Sequence, residues 1–110
     1  MDPVQGLIGD AVKAFISGKF DDACAMYERI LAQHPGHPGA MKGLAMANAQ
    51  AGRIDQAVSW ATKLTEATPE DAMSWTTLSM LLQKAGKIKE AEDAQAKARV
   101  LGWKAQLKKP

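Results

Sequence analysis

An all-α chain made of stacked helix pairs is the fold class this sequence predicts, on three observations. Gly18, Gly52 and Gly86 stand 34 residues apart, as do Phe20, Ile54 and Ile88, and as do Ala23, Ala57 and Ala91. Pro35 and Pro69 keep the same interval, which fixes the length of the unit. Between each proline and the next glycine, apolar residues recur at spacings of three and four, the mark of a helix, and nowhere alternate as a strand would. Each unit is therefore two helices, and the 110-residue chain is one domain of three units, about 4–37, 38–71 and 72–105, with a basic tail over 104–110.

The first helix of the first unit carries Val4, Leu7 and Ala11 on its apolar face. Gly6 and Gly9 lie inside it, at a cost of roughly 1 kcal/mol each against alanine, so it is expected to be the least stable element and to fray. Gly18 ends that helix, because a residue without Cβ enters the left-handed conformation freely. Asp21 then opens the second helix, where a negative charge meets the positive end of the macrodipole. Ala23 lets the paired helices approach closely. The corner "HPGHPGAM", with two prolines and two glycines, leads into the second unit.

That unit repeats the scheme with Met41, Leu44, Ala45, Met46 and Ala49, then Gly52, Asp55 and Ala57. In "ATPEDAMSW" the spacing predicts Thr68 as N-cap, Pro69 in the first turn and Asp71 completing a capping box. The third unit has Met73, Trp75, Leu78, Leu81 and Leu82, then Gly86 and Ala91. Lys89, Glu92, Asp93, Gln95 and Lys97 give its last helix a polar outer face. Trp103 stands where a third proline would fall, and with Gly102 before it reads as an apolar plug over the end of the stack.

Together these residues resemble the tetratricopeptide repeat family, whose 34-residue signature is roughly W-x2-L-G-x2-Y, then G, then A-x3-F, then A and P. Trp75 and Leu78 keep the W-x2-L spacing, with Ser79 and Leu82 in place of glycine and tyrosine. Second helices match through Ala23, Tyr27 and Pro35, then Ala57, Ala61, Leu64 and Pro69, then Ala91 and Ala98. The resemblance implies a right-handed α-solenoid of about six helices plus a short C-terminal extension, with the first helix of each pair on the concave side. It also implies a non-enzymatic adaptor or scaffold that binds another protein.

By that resemblance the groove is lined by Gln5, Ile8, Val12, Phe15 and Ile16, then Lys42, Met46 and Gln50, then Met73, Thr76, Met80, Gln83 and Lys84. Some members of the family hold an acidic C-terminal peptide with a clamp of lysine, asparagine and arginine. Ile8, Val12, Gly43, Met73 and Thr77 occupy the corresponding faces here, so the clamp is missing. The expected ligand is an amphipathic helix or extended apolar segment, to which methionines adapt. Two other readings stay open. Phe15, Ile16 and the methionines could be core between helices, or a symmetric homodimer could cover the groove or the C-terminal end.

Other functions find little support. Residues 1–83 hold six Lys or Arg against nine Asp or Glu, whereas 84–110 hold eight against three. This basic end reads as a solvated helix rather than a nucleic-acid or anionic-surface patch, since no aromatic residues interleave with its lysines for stacking. His34 and His37 lack fixed further ligands and read as a corner, not a metal site. No phosphate loop, nucleophile elbow or H-E-x-x-H motif occurs, so neither enzyme activity nor a cofactor is expected. Asp21, Asp22 and Asp55 are explained by helix starts, and Glu90, Glu92 and Asp93 by a solvated face. Cys24 is expected in the seam between helices, with no lysine or arginine evidently beside it, and Trp60 in the seam or on an exposed contact. With no basic leader, no apolar run long enough to cross a membrane and a single cysteine, the chain is expected to be soluble and cytoplasmic.

Overall fold

Where the sequence repeats its glycine, the backbone repeats a turn. Gly18, Gly52 and Gly86 have φ of 79°, 86° and 79°, and no other described residue type adopts a positive φ. In the first copy Lys19 N–H donates to Ala14 O at 2.8 Å and Gly18 N–H to Phe15 O at 3.0 Å. Arg53 to Asn48 with Gly52 to Ala49, and Lys87 to Leu82 with Gly86 to Gln83, repeat the pair. This is the Schellman arrangement, which satisfies carbonyls at the end of one helix while turning the chain into the next.

The computed structural model describes residues 3–108 as six helices: α1 (Pro3–Ile16), α2 (Phe20–Gln33), α3 (Pro38–Gln50), α4 (Ile54–Ala67), α5 (Ala72–Lys84) and α6 (Ile88–Leu107). Each packs on its neighbours in the chain, and α3 also touches α1 and α5, so the first helices of the pairs share one side of the stack. Ala23, Ala57 and Ala91 have no exposed surface, consistent with their place where paired helices meet. One core cluster is built around Ile30, Leu44 and Tyr27, the other around Leu78, Leu81 and Leu82. Trp60 packs against both, which settles it as a seam residue. Lys63 Nζ lies 4.4 Å from the centre of its ring.

Two local expectations are corrected. Asp71, not Thr68, is the N-cap of α5, its Oδ1 accepting from Met73 N–H at 3.0 Å. Thr68 instead closes α4: its N–H donates to Leu64 O, and its hydroxyl bonds that oxygen and the Ser74 hydroxyl. Pro69 therefore lies in the connection, where its carbonyl accepts the Trp75 indole N–H at 2.9 Å. At the preceding corner His37 Nδ1 accepts from Ala40 N–H at 3.1 Å, and Pro38 occupies the first turn of α3.

Trp103 is the second correction. It is 65% exposed, on a helix that runs on without a break to Leu107, so it plugs nothing. No proline stops α6, and Lys104, Ala105, Gln106 and Leu107 are all good helix formers. The predicted extension is thus the end of α6; Lys109 and Pro110 of the predicted tail lie outside the described residues.

The same substitution should have opposite effects in helix and turn. A Cβ at Gly6 or Gly9 would meet nothing within 4 Å, so alanine at each should stabilise the fold by about 0.5–1 kcal/mol in urea unfolding. Gly52→Ala should destabilise it by about 1–2 kcal/mol, because its φ is left-handed.

Candidate functional site

Helices α1 and α3 are tied together through α2, and a cavity of about 290 Å³ opens between them. Ile8, Val12 and Phe15 reach it from α1, and Gly39, Lys42, Gly43 and Met46 from α3. Tyr27 of α2 forms part of the wall. Its ring lies so close to Gly43 that a Cβ there would overlap it, so glycine is what lets α2 and α3 close around a tyrosine.

The thirteen groove residues expected from the sequence do not gather in one depression. Ile8, Val12, Phe15, Lys42 and Met46 share the apolar cavity. Met73 lies in an adjoining hollow of about 200 Å³ that also contacts Gly39 and Lys42. Thr76, Met80 and Gln83 line a third, of about 350 Å³, with Ser79, Gln95, Ala98 and Arg99. Gln5, Ile16, Gln50 and Lys84 are exposed and line none of these three.

Core packing accounts for only part of the apolar lining: Tyr27 belongs to the first core cluster, and Ile8 and Phe15 pack against it. Ile16 is 77% exposed, Met73 58% and Val12 42%, whereas Phe15 and Met46 are half-buried. Thr77, expected on the groove face, is buried, and its hydroxyl donates to Met73 O at 2.9 Å. Tyr27 is the wall residue that sequence reasoning missed. The pairing of a large residue on a second helix with a glycine sixteen positions on was the available signal.

Cys24 also differs from expectation. Arg53, at the N-cap of α4, brings a guanidinium nitrogen to 3.6 Å from the Cys24 Sγ. Its Nε donates to Asn48 Oδ1 at 2.7 Å, and a terminal nitrogen meets Asp21 at 2.9 Å. Burial nevertheless outweighs the cation and pushes the Cys24 thiol above its ordinary value; burial likewise raises the Tyr27 phenol. The arrangement joins the first turn of α2 to the turn between α3 and α4, and the thiol stays protonated.

The tetratricopeptide repeat family profile matches residues 14–81, more than half of the chain. The chain is a tetratricopeptide repeat protein. One curated relative, cellulose synthase operon protein C of Pseudomonas fluorescens (strain SBW25), is 32% identical over 88 residues, covering 73% of this chain. The match spans 7% of that relative's length. Among solved structures, the tetratricopeptide domain of Sgt2 from Aspergillus fumigatus superposes with a TM-score of 0.87 at 20% identity, over 93% of this chain and 68% of that one. The Yersinia enterocolitica type III secretion chaperone SycD, in complex with a peptide of the translocator YopD, gives 0.85 at 20% identity, over 92% and 77%. SycD in an alternative dimer gives the same score and identity, over 92% and 76%. At these identities the likeness is one of fold.

Two measurements check this tetratricopeptide seam. Gly43→Ala should cost about 1–3 kcal/mol by displacing the Tyr27 ring. Tyr27→Ala with Gly43→Thr, which copies the residues one repeat later (Ala61 and Thr77), should lose less than the two single changes summed. In the second measurement, unfolding free energy should fall as pH rises above 9. The unfolded thiol ionises from its ordinary value of 9.0 while folded Cys24 keeps its proton, so deprotonation favours the unfolded chain. Cys24→Ala should remove the first part of that fall and leave the part due to Tyr27.

Proposed function

We propose that this protein is a non-enzymatic interaction adaptor that takes an apolar segment of another protein into its concave face. The observation that carries the reading is the cavity lined by Ile8, Val12, Phe15, Tyr27 and Met46, apolar but for Lys42. A pocket of this size accepts one leucine-, methionine- or phenylalanine-sized side chain, whose burial contributes roughly 1.5–3 kcal/mol. Met46 in the pocket and Met73 beside it can adjust to the shape of such an anchor. Lys42, shared by both depressions, offers a charge to a carboxylate next to the anchor on the partner.

Thr76, Gln83, Gln95 and Arg99 make the third depression more polar than the first, so the partner segment has its apolar residues over α1 and α3 and mixed ones toward α5. Solved relatives of the same fold support peptide binding as the mode, as with SycD and its YopD peptide. The buried, unpaired thiol of Cys24 suits a reducing, cytoplasmic setting. A symmetric dimer is the second reading, favoured by Ile16, a strongly exposed apolar residue that continues the α1 face beyond Val12 and Phe15.

Affinity capture with the wild type and a Val12→Glu, Met46→Glu variant tests the proposal. The variant should keep its helical circular dichroism while losing the partner that the wild type retains. Capture of the same partner by a folded variant would overturn the groove reading. A wild-type dimer that becomes monomeric in the variant would favour self-association.

A further inference from the structure

Helix α6 buries Ala91, Ala94, Ala98 and Leu101 against the stack. At about 100° per residue, Ala96, Val100, Trp103 and Leu107 fall on the opposite side of the helix, within an arc of about 60°. All four are exposed, Val100 by 45%, Trp103 by 65% and Leu107 by 69%. Their spacings of four, three and four residues are those of a coiled-coil seam. The polar outer face expected for this helix holds over its first half, through Lys89, Glu92 and Asp93, and gives way to this stripe beyond Lys97.

Charge selects what the stripe can meet. No acidic residue follows Asp93, while Lys97, Arg99, Lys104 and Lys108 flank the apolar line. Among the described residues none of these four forms an ion pair; Lys97 Nζ sits 6.0 Å from the centre of the Trp75 ring. Pairing with a second copy would set cation against cation. A parallel pair opposes Arg99 and Lys104, and an antiparallel pair opposes Lys104 and Lys97. A bilayer is a poorer match than a helix, because an interfacial helix needs a wider apolar face and Asp93 continues this narrow line.

We infer that the outer face of α6 from Ala96 to Leu107 is a second docking surface, for a helix of a partner protein whose apolar seam is flanked by acidic side chains. It uses no residue of the groove between α1 and α3 and shares only Arg99 with the depression beside α5. The apolar stripe supplies contact area, and the flanking cations select the partner and speed its approach.

Fluorescence anisotropy of a labelled three-heptad peptide, with isoleucine and leucine in its seam and glutamate on both flanks, tests the surface. A companion peptide carries lysine on the flanks. The intact protein should bind the glutamate peptide, less tightly as salt is raised, and should not bind the lysine peptide. Trp103→Gln with Leu107→Gln, both exposed positions, should keep the circular dichroism spectrum and weaken binding by about tenfold or more. Val12→Glu, in the groove, should leave it unchanged. Four results would overturn the inference: no binding of the glutamate peptide, equal binding of the two peptides, loss of binding through Val12→Glu, or undiminished binding by the Trp103, Leu107 variant. Trp103-dependent sedimentation with phosphatidylserine vesicles in place of peptide binding would assign the surface to membranes instead. A dimer dissolved by the same double variant would assign it to self-association.

Discussion

The left-handed glycine turn is the constraint on which the rest of this molecule depends. Each copy reverses the chain within a few residues and so sets the second helix of a pair alongside the first. Once the pair is formed, Ala23, Ala57 and Ala91 let its helices come close, and the larger residues on either side find partners in the next pair. No pair could bury its apolar face alone. Stability is therefore shared across the seams, and concave and outer surfaces follow as consequences of stacking.

Much of this was legible because repetition averages out local ambiguity. A single Gly18 followed by Phe20 and Ala23 would be weak grounds for a turn, whereas three copies at one interval leave little alternative. Thr68 was misread for a physical reason: a threonine before a proline can cap the next helix or close the last one. What decides is that Asp71, three residues later, is better placed to accept an amide at the start of α5. Trp103 was misread because a large apolar residue near a chain end invites burial. Whether it points inward depends on the phase of a helix that neither a proline nor a left-handed turn stops at position 103.

The candidate site was less legible than the fold, because it depends on which side chains meet across a seam. Family register placed Ile8, Val12 and Met46 on one side of the stack, and they do share a cavity. Register could not say that Tyr27 would reach from the second helix into the wall, or that Arg53 would lie between Cys24 and Asp21. Such contacts join positions 16 to 32 residues apart, and many residue pairs at those separations never meet. Long side chains such as arginine make the problem worse, since several partners lie within their reach.

A repeated scaffold also explains why its surfaces differ. Tyr27 and Gly43 form a large and small pair at the first seam; one repeat later the same positions hold Ala61 and Thr77, both buried. At the third copy the tyrosine position becomes Gln95, and Ile30 and Leu31 become Ala98 and Arg99. Equivalent first-helix positions line a hollow in the first and last copies, Ile8, Val12 and Phe15 in one and Thr76, Met80 and Gln83 in the other. The first is apolar and walled by Tyr27, whereas the last mixes polar Thr76, Gln83, Gln95 and Arg99 with Met80 and Ala98. Because the helices are already positioned by glycine and alanine, side chains lining such hollows can change without refolding the chain, and partner choice can vary while the architecture stays fixed.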